Sequence, residues 1–431
     1  MIALVMSWVK KIKAMDKLKK YRRLIENFFS LSILNALNVL LPLLTLPYIL
    51  HVVGKANYGA YSYVYVVVQY VILFSTYGFN FSATKQISQC RDDDATVSSI
   101  YSAVTASKAL IAVAVSFVLF LFSKLVFKDD AGVLMFIYGL GMVVGDIFTP
   151  IWLFQGLEKM KYVTIVNASS KILFSVLIFV VIRSADDADL LILLNSFGYM
   201  LAGLLSLILV YRQFNLRLRR VKWSDVFSQL KDGSAVFGST FCINLYRNAN
   251  VIILKQFVGD DIVGVYSAAE KVIKGFQSII SPAAQALFPH LSRRFKGQSY
   301  KANIALLRKI SIPFTAVVLV VTVLVYIFAP LISDILCGKD FVATVPLIRI
   351  MTLVILFGEI NYLVGIVGLI NMNGQALFFR SVIITGVFSV IFMLLFAPSG
   401  GATAAAWAMS LSEILLFIMC LFSLRSIKKQ L

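Results

Sequence analysis

The sequence predicts an all-α membrane protein in which twelve transmembrane helices form two six-helix lobes around a central cavity. Of its 431 residues, 60% are hydrophobic and only 14% are charged, whereas soluble domains carry about a quarter charged residues. Apolar runs of about 20 residues, the length that crosses a bilayer, recur along the whole chain. Twelve such runs leave only short connections, and this excludes an enzyme that needs a large soluble catalytic domain.

Turn and charge signals separate the predicted spans, as at 398–401, where a proline is followed by a serine and two glycines. The spans cover residues 28–53, 58–84, 101–123, 133–154, 164–182, 190–211, 233–256, 262–290, 310–330, 346–370, 377–397 and 402–424. The predicted domains are a basic segment on the inner membrane surface at 1–27, an N-terminal lobe at 28–211, a basic cytoplasmic linker at 212–232, a C-terminal lobe at 233–424 and a basic cytoplasmic tail at 425–431.

Lysine and arginine residues sort between the two sides of this map. One side holds 28 of them, and the opposite loops hold 6. Because cytoplasmic loops carry the excess of basic residues, both termini are predicted to be cytoplasmic. The net charge of +19 comes from these same basic residues and is explained by membrane topology. Nucleic acid is therefore not expected as a partner.

A weak internal repeat supports the two lobes. Five residues recur at a constant offset of 205 positions: Val53, Gly54, Gly59, Tyr61 and Ser62 match Val258, Gly259, Gly264, Tyr266 and Ser267. Each set lies at the outer turn between the first two spans of its half. Because six spans per half is an even number, the lobes should be related by a pseudo-twofold axis along the membrane normal.

Ten ionisable residues fall inside the predicted spans: Lys108, Asp146, Lys171, Arg247, Glu270, Lys271, Lys274, Arg349, Glu359 and Glu413. A charge at the centre of a lipid-facing helix costs a few kcal/mol or more, so each of them should face a partner or a wet cavity. Arg349 lies near the outer boundary, where its side chain could simply extend to the interface.

Spans seven and eight carry the most polar faces. Asn244, Arg247 and Asn248 share one face of span seven because they are three and four residues apart. On span eight, a stripe runs for about 22 Å along the helix axis; it comprises Glu270, Lys274, Gln277, Ser281 and Gln285. Spans one and two add the polar residues Asn35, Asn38, Gln69 and Asn80. This pattern favours a hydrated cavity lined by spans one, two, seven and eight, and interhelical hydrogen bonding is the alternative.

The charge balance of this interior is cationic. Arg247, Lys271 and Lys274 concentrate positive charge in the C-terminal lobe, which suits an anionic head group. Lys108 and Lys171 are further candidates near the cytoplasmic mouth of the cavity. Glu270 lies one helical turn from Lys274 and is predicted to be its ion-pair partner.

Three acids remain as candidates for ion coupling: Asp146, Glu359 and Glu413. A buried carboxyl group can equally be protonated and without function. No catalytic residue, metal site or cofactor is predicted, because His51 and His290 have no paired metal ligands nearby and no phosphate-cradling glycine loop occurs in the sequence.

Several motifs resemble those of the Wzx-type O-antigen flippases, in the polysaccharide-transport branch of the multidrug/oligosaccharidyl-lipid/polysaccharide exporter superfamily. They are PLLTLPY at 42–48, YGFNFSATK at 77–85, WLFQGLEKM at 152–160 and GVYSAAEK at 264–271. Thr76 and Asn250 depart from the family pattern, which often has an acid at these positions. A coupling role for those acids is therefore not carried over to this chain.

The resemblance implies that the protein moves an undecaprenyl-diphosphate-linked oligosaccharide from the cytoplasmic to the periplasmic leaflet of the bacterial inner membrane, by alternating access. Membrane lipids and the polysaccharide polymerase machinery are the other implied partners. Arg247, Lys271 and Lys274 would contact the diphosphate, and the asparagine and glutamine side chains of the cavity would solvate the sugars. Since the cytoplasm is negative, outward movement of anionic charge is favoured by about 2.3 kcal/mol per charge per 100 mV.

Three alternatives stay open at this point. A multidrug exporter of the same superfamily predicts a cavity dominated by acids, which the charge balance disfavours. A membrane polymerase or ligase acting on the same lipid-linked sugar predicts a long extracytoplasmic loop, and the sequence leaves no room for one. A flippase for a lipid-linked peptidoglycan precursor is disfavoured by the motifs and by the number of spans.

Overall fold

The structure, a computed structural model, describes residues 37, 40–295 and 299–427. Within these ranges the regular elements are all helices and none is a strand. The all-α class predicted from the sequence is therefore confirmed. The basic segment 1–27 and the cavity candidates Asn35 and Asn38 lie outside the described residues.

The N-terminal half contains nine α-helices within the described residues. They are α1 (Leu40–Val53), α2 (Lys55–Thr76), α3 (Phe79–Gln89), α4 (Asp94–Leu121), α5 (Ser123–Phe127), α6 (Asp130–Ile147), α7 (Ile151–Gly156), α8 (Met160–Val181) and α9 (Ala188–Gln213). Short polar side chains cap the helix starts at two of the predicted breaks. Asp93 accepts hydrogen bonds from the amides at the start of α4, and Asp129 does the same for α6. The Thr96 hydroxyl and amide, both bonded to the Asp93 carboxylate, hold the pKa of that carboxyl below its ordinary value.

The C-terminal half contains six α-helices and a π-helix within the described residues. They are α10 (Trp223–Phe257), α11 (Asp260–Phe295), α12 (Tyr300–Ile327), α13 (Ala329–Leu336), α14 (Thr344–Asn361), a π-helix (Tyr362–Leu369) and α15 (Gln375–Ile427). Gly401 interrupts α15 with φ 51° and ψ −132°, so two helices meet there at a kink. Since this conformation favours glycine, the predicted break at 398–401 has a direct structural cause.

Eight helical stretches of the described chain are long and apolar enough to cross a membrane: Lys55–Gln89, Asp94–Leu121, Asp130–Gly156, Met160–Val181, Ala185–Gln213, Tyr300–Ile327, Thr344–Met372 and Gln375–Ile427. The last of these contains the kink at Gly401. Helices α10 and α11, which correspond to predicted spans seven and eight, carry more polar residues than the eight. The protein is thus a multi-spanning helical membrane protein.

More than half of the predicted linker at 212–232 is helical. Helix α9 continues to Gln213, and α10 already begins at Trp223. Only residues 214–222 lie outside these two helices, so the last ten residues of the predicted linker form the first turns of α10. Polar and charged side chains on these turns explain why the predicted apolar span begins later in the sequence than the helix does.

Helix α2 packs against the C-terminal half at two places, and glycines allow a close backbone approach at each. Gly59 of α2 packs so closely against α11 that a Cβ atom added to it would collide with the backbone of Asp260. A Cβ atom on Gly264 would in turn collide with the backbone of Lys55. Gly59 and Gly264 are equivalent positions of the internal repeat, so the two copies of the motif meet face to face.

The second contact lies where α2 ends. A Cβ atom on Gly78, in the turn between α2 and α3, would press against the backbone carbonyl of Gly233 in α10. The rings of Tyr77 and Phe237 stack beside it at 4.6 Å between centroids. One helix therefore contacts the other half through close backbone approaches near both of its ends.

Candidate functional site

The predicted polar faces of α10 and α11 meet in a chain of hydrogen bonds. Lys274 donates from Nζ to Oδ1 of Asn248 at 3.0 Å, and Asn248 donates from Nδ2 to Oδ1 of Asn244 at 2.9 Å. Lys274 also pairs with Glu270 at 3.1 Å, as predicted from their spacing. The ammonium group thus has one charged and one neutral partner, and 40% of the Lys274 side chain remains exposed.

Arg247 lies on the same helix as the two asparagines and reaches a different partner. Its Nη2 atom is 3.4 Å from Oε1 of Glu413 on α15, and 47% of its side chain is exposed against 2% for Glu413. Asn361 donates from Nδ2 to Oε2 of Glu413 and to its carbonyl oxygen, both at 2.8 Å. The buried carboxylate therefore holds a guanidinium of which nearly half remains exposed.

The polar stripe on α11 forms hydrogen bonds to α14 towards its C-terminal end. Ser281 donates to Oε1 of Glu359 at 2.6 Å, and Gln277 donates from Nε2 to the carbonyl of Val354 at 3.0 Å. Here the alternative interpretation applies, because these residues form interhelical hydrogen bonds. The side chain of Gln285 lies outside the described residues.

Two lysines from different halves come together. Lys271 of α11 lies over the ring of Tyr58, with Nζ 5.9 Å from the ring centroid. Lys171 of α8 is near enough to interact with Lys271 electrostatically. Both side chains are half-buried. Positive charge from both halves therefore collects in one region, although sequence spacing gave no reason to pair these residues.

Lys108 requires a correction. It was predicted to be a cavity base, but its side chain is 3% exposed and packs inside the N-terminal half. Its Nζ donates to Oδ2 of Asp146 at 2.8 Å and to the Asp146 carbonyl at 2.7 Å. Thr76 donates to the same Oδ2 atom at 3.4 Å. A buried ammonium needs such a carboxylate partner, so Lys108 does not line the cavity and Asp146 is already neutralised by it.

The remaining candidates on α2 and α3 have separate positions. Gln69 donates to the hydroxyl of Tyr199 on α9, so it faces the interior of the N-terminal half. Asn80 is half-buried at the start of α3.

Arg349 of α14 is exposed and lies over the ring of Tyr326, consistent with a side chain that extends to the membrane boundary. Among the described residues, no cluster of three or more potential metal ligands occurs.

Sequence reasoning missed two residues of this site. Tyr58 carries the ring under Lys271, and Asn361 fixes the carboxylate that binds Arg247. Asn361 lies two residues after the candidate Glu359 in α14, so its polar side chain within an apolar span was visible in the sequence. Its partner, however, is 52 positions away and is determined only by the packing of α14 against α15.

Comparison with known proteins settles the family. Residues 24–295 match the family model described as polysaccharide biosynthesis protein. The chain belongs to this family. The predicted resemblance to the O-antigen flippases is thereby confirmed at the level of the family.

Two relatives of this chain are named putative O-antigen transporters. The one from Escherichia coli (strain K12) is 32% identical over 267 residues, which is 62% of this chain and 64% of the relative, so the match spans less than two thirds of that protein. The one from Shigella dysenteriae is 24% identical over 403 residues, covering 94% of this chain and 100% of the relative.

Solved structures share the fold of this family member at low sequence identity. The lipid II flippase MurJ in an inward closed conformation has a TM-score of 0.74 at 12% identity and covers 93% of this chain and 87% of its own. An inward-facing multidrug resistance MATE family transporter of the MOP superfamily has a TM-score of 0.66 at 12% identity, covering 90% and 98%. At such identity these likenesses concern the fold alone.

Proposed function

We propose that this protein is a flippase that moves an undecaprenyl-diphosphate-linked oligosaccharide, the repeat unit of O-antigen or a related surface polysaccharide, from the cytoplasmic to the periplasmic leaflet. The observation that carries the proposal is Arg247, a half-exposed guanidinium within the helical bundle, close to the exposed Lys274 and its chain of asparagine amides. The names of the two relatives, both transporters, support it.

The chemistry of the site fits such a head group. A guanidinium offers two parallel donors to a diphosphate, whereas an ammonium acts as a point charge. Lys171 and Lys271 add positive charge from both halves of the bundle. The amides of Asn244 and Asn248 offer donors and acceptors to sugar hydroxyl groups, and these would replace water around the sugars in the low-dielectric interior.

The proposed topology has twelve spans in two six-helix lobes, with both termini in the cytoplasm of a bacterium and the protein in its inner membrane. The kink at Gly401 supports the count, since α15 would supply spans eleven and twelve. Alternating access requires the two halves to separate at one side of the membrane while they stay in contact at the other. The glycine contacts at Gly59 and Gly78, which lie near opposite ends of α2, support this mechanism. Removal of the product by polysaccharide polymerase machinery, together with the membrane potential, would drive net transport.

Charge reversal at Arg247 tests this function in cells that depend on the protein for their surface polysaccharide. Arg247→Glu is expected to abolish the polysaccharide, because it removes the cation and leaves the buried Glu413 beside a like charge. Arg247→Gln removes only the charge and should reduce the polysaccharide at least ten-fold. Arg349→Glu is the matched control and should have little effect, since Arg349 is exposed away from the site. Normal polysaccharide in both Arg247 variants, with all proteins present in the membrane at equal levels, would overturn the proposal.

A further inference from the structure

An apolar cavity lies along α10. It has a volume of about 720 Å³ and is lined by residues of α2, α4, α5, α10 and α15. Most of the lining residues come from α2 and α10, one helix from each half of the chain. The cavity is therefore a groove along the seam between the two halves.

The groove and Arg247 occupy opposite faces of the same helix. Phe241, Leu245, Ala249 and Ile252 line the groove at spacings of four, four and three residues, so they share one face of α10. Arg247 is displaced from this face by about half a turn, since the helix has about 3.6 residues per turn. The lining residues of α10 span about 18 Å along the helix axis, and Arg247 lies at the middle of that length.

The walls of the groove are apolar. Its two tyrosines use their hydroxyl groups elsewhere: Tyr63 donates to the carbonyl of Val126 at 2.8 Å, and Tyr70 donates to the carbonyl of Asn244 at 3.1 Å. The other lining residues are alanine, valine, leucine, isoleucine and phenylalanine. A ligand in this groove would be a hydrocarbon, because no polar lining group is directed at it.

We propose that the groove holds the polyprenyl tail of the lipid-linked substrate while the diphosphate occupies the site at Arg247. The inference rests on the proposed function and adds a second binding site to it. A diphosphate and its tail are covalently joined, so their two sites must lie close together at one depth in the membrane. Only the width of α10, about 10–12 Å with its side chains, separates the groove from Arg247.

The seam between α2 and α10 is the path from one site to the other. Tyr70 lines the groove and bonds to the backbone of Asn244, whose side chain belongs to the polar network. Towards the end of α2 the seam is filled by the rings of Phe74, Phe237 and Phe241, with centroids 5.5–5.6 Å apart between Phe74 and the other two. Ring contacts of this kind can part around a chain without breaking a hydrogen bond, whereas parting the seam at Tyr70 would break its bond to the Asn244 carbonyl. The path therefore lies at the aromatic end of the seam.

Filling the groove tests the proposal. Ala114 of α4 lines the groove, so Ala114→Trp should occupy the space of the tail. The neighbouring Val113 is 68% exposed and does not line the groove, so Val113→Trp is the matched control. Binding of two probes, undecaprenyl diphosphate and the ten-carbon geranyl diphosphate, is measured for each purified variant as a ratio to the wild type. Val118→Trp serves as a second groove variant if Ala114→Trp does not fold.

We expect Ala114→Trp to weaken binding of undecaprenyl diphosphate at least ten-fold and to leave binding of geranyl diphosphate unchanged. Val113→Trp should leave both unchanged. If the groove variants bind undecaprenyl diphosphate like the wild type, the groove holds ordinary bilayer lipid and the inference is wrong. An equal loss for both probes would also overturn it, because the tail would then not be the group affected. If the wild type binds neither probe, the proposed function itself fails.

Discussion

Replacement of Gly59 by alanine tests how the two halves move. In the structure a Cβ atom at this position would overlap the backbone of Asp260, and backbone atoms of two packed helices cannot shift as a flexible side chain can. The conflict exists only while α2 and α11 are in contact. The substitution therefore destabilises this conformation and not one in which the two helices have separated.

The size of the effect follows from the cost of overpacking. Forcing an extra methyl group into a well-packed contact typically costs about 1–3 kcal/mol. This free energy corresponds to a change of about 5- to 150-fold in the equilibrium between the two conformations. Gly264→Ala should act in the same direction, because its Cβ atom would overlap the backbone of Lys55.

Electron paramagnetic resonance can measure this shift. Spin labels on cysteines introduced at the exposed positions Ala56 and Asp261, in a variant without the native cysteines, report the α2–α11 contact through dipolar broadening. The separated fraction should rise at least five-fold in Gly59→Ala. Gly238→Ala is the control, because no atom lies within 4 Å of its added Cβ. Identical spectra for Gly59→Ala and the wild type would refute the view that this glycine contact holds the two helices together.

Three further outcomes are expected. Lys108→Met should lower the free energy of unfolding by about 3–5 kcal/mol, because it leaves the Asp146 carboxylate inside the bundle without its counter-charge. Adding Asp146→Asn should restore part of the loss. Thermal unfolding measures both variants, and equal stability of the single and the double variant would contradict this prediction. Asp93→Ala should speed hydrogen exchange at the amides of Ala95 and Thr96, whereas exchange unchanged from the wild type would show that the cap is not needed. The pKa of Asp93 is lowered in the folded protein, so the stabilisation that this cap provides is present above the ordinary carboxyl pKa of 3.8 and is lost as the pH falls through the lowered value. Hydrogen exchange at the two amides, measured from about pH 5 to about pH 2, should therefore lose its protection only below the ordinary pKa.

The sequence predicted local features of the fold well because short-range chemistry determines them. The gaps between predicted spans at 85–100 and 124–132 contain the helix caps Asp93 and Asp129, and the glycine at 401 adopts the conformation that breaks α15. The pair of Glu270 and Lys274 was predicted because residues four apart on one helix must be neighbours.

Partners on different helices could not be predicted in the same way. Arg247 and Glu413 are 166 residues apart, and Lys108 and Asp146 are 38 apart. Periodicity indicates which side of a helix is polar, but packing decides which other helix that side meets. This is why Lys108 was assigned to the cavity, when the same need for a partner is satisfied by a carboxylate inside the N-terminal half.

The central claim is that the cationic site at Arg247 carries a lipid-linked diphosphate across the membrane. The most direct measurement is transport in liposomes that contain the purified protein and a fluorescent undecaprenyl-diphosphate-linked oligosaccharide, with the outer-leaflet fraction scored by a membrane-impermeant quencher. Wild-type protein should equilibrate the lipid between leaflets, and Arg247→Gln should do so at least ten times more slowly. Equal rates for the two proteins, or a wild-type rate no faster than that of empty liposomes, would contradict the account.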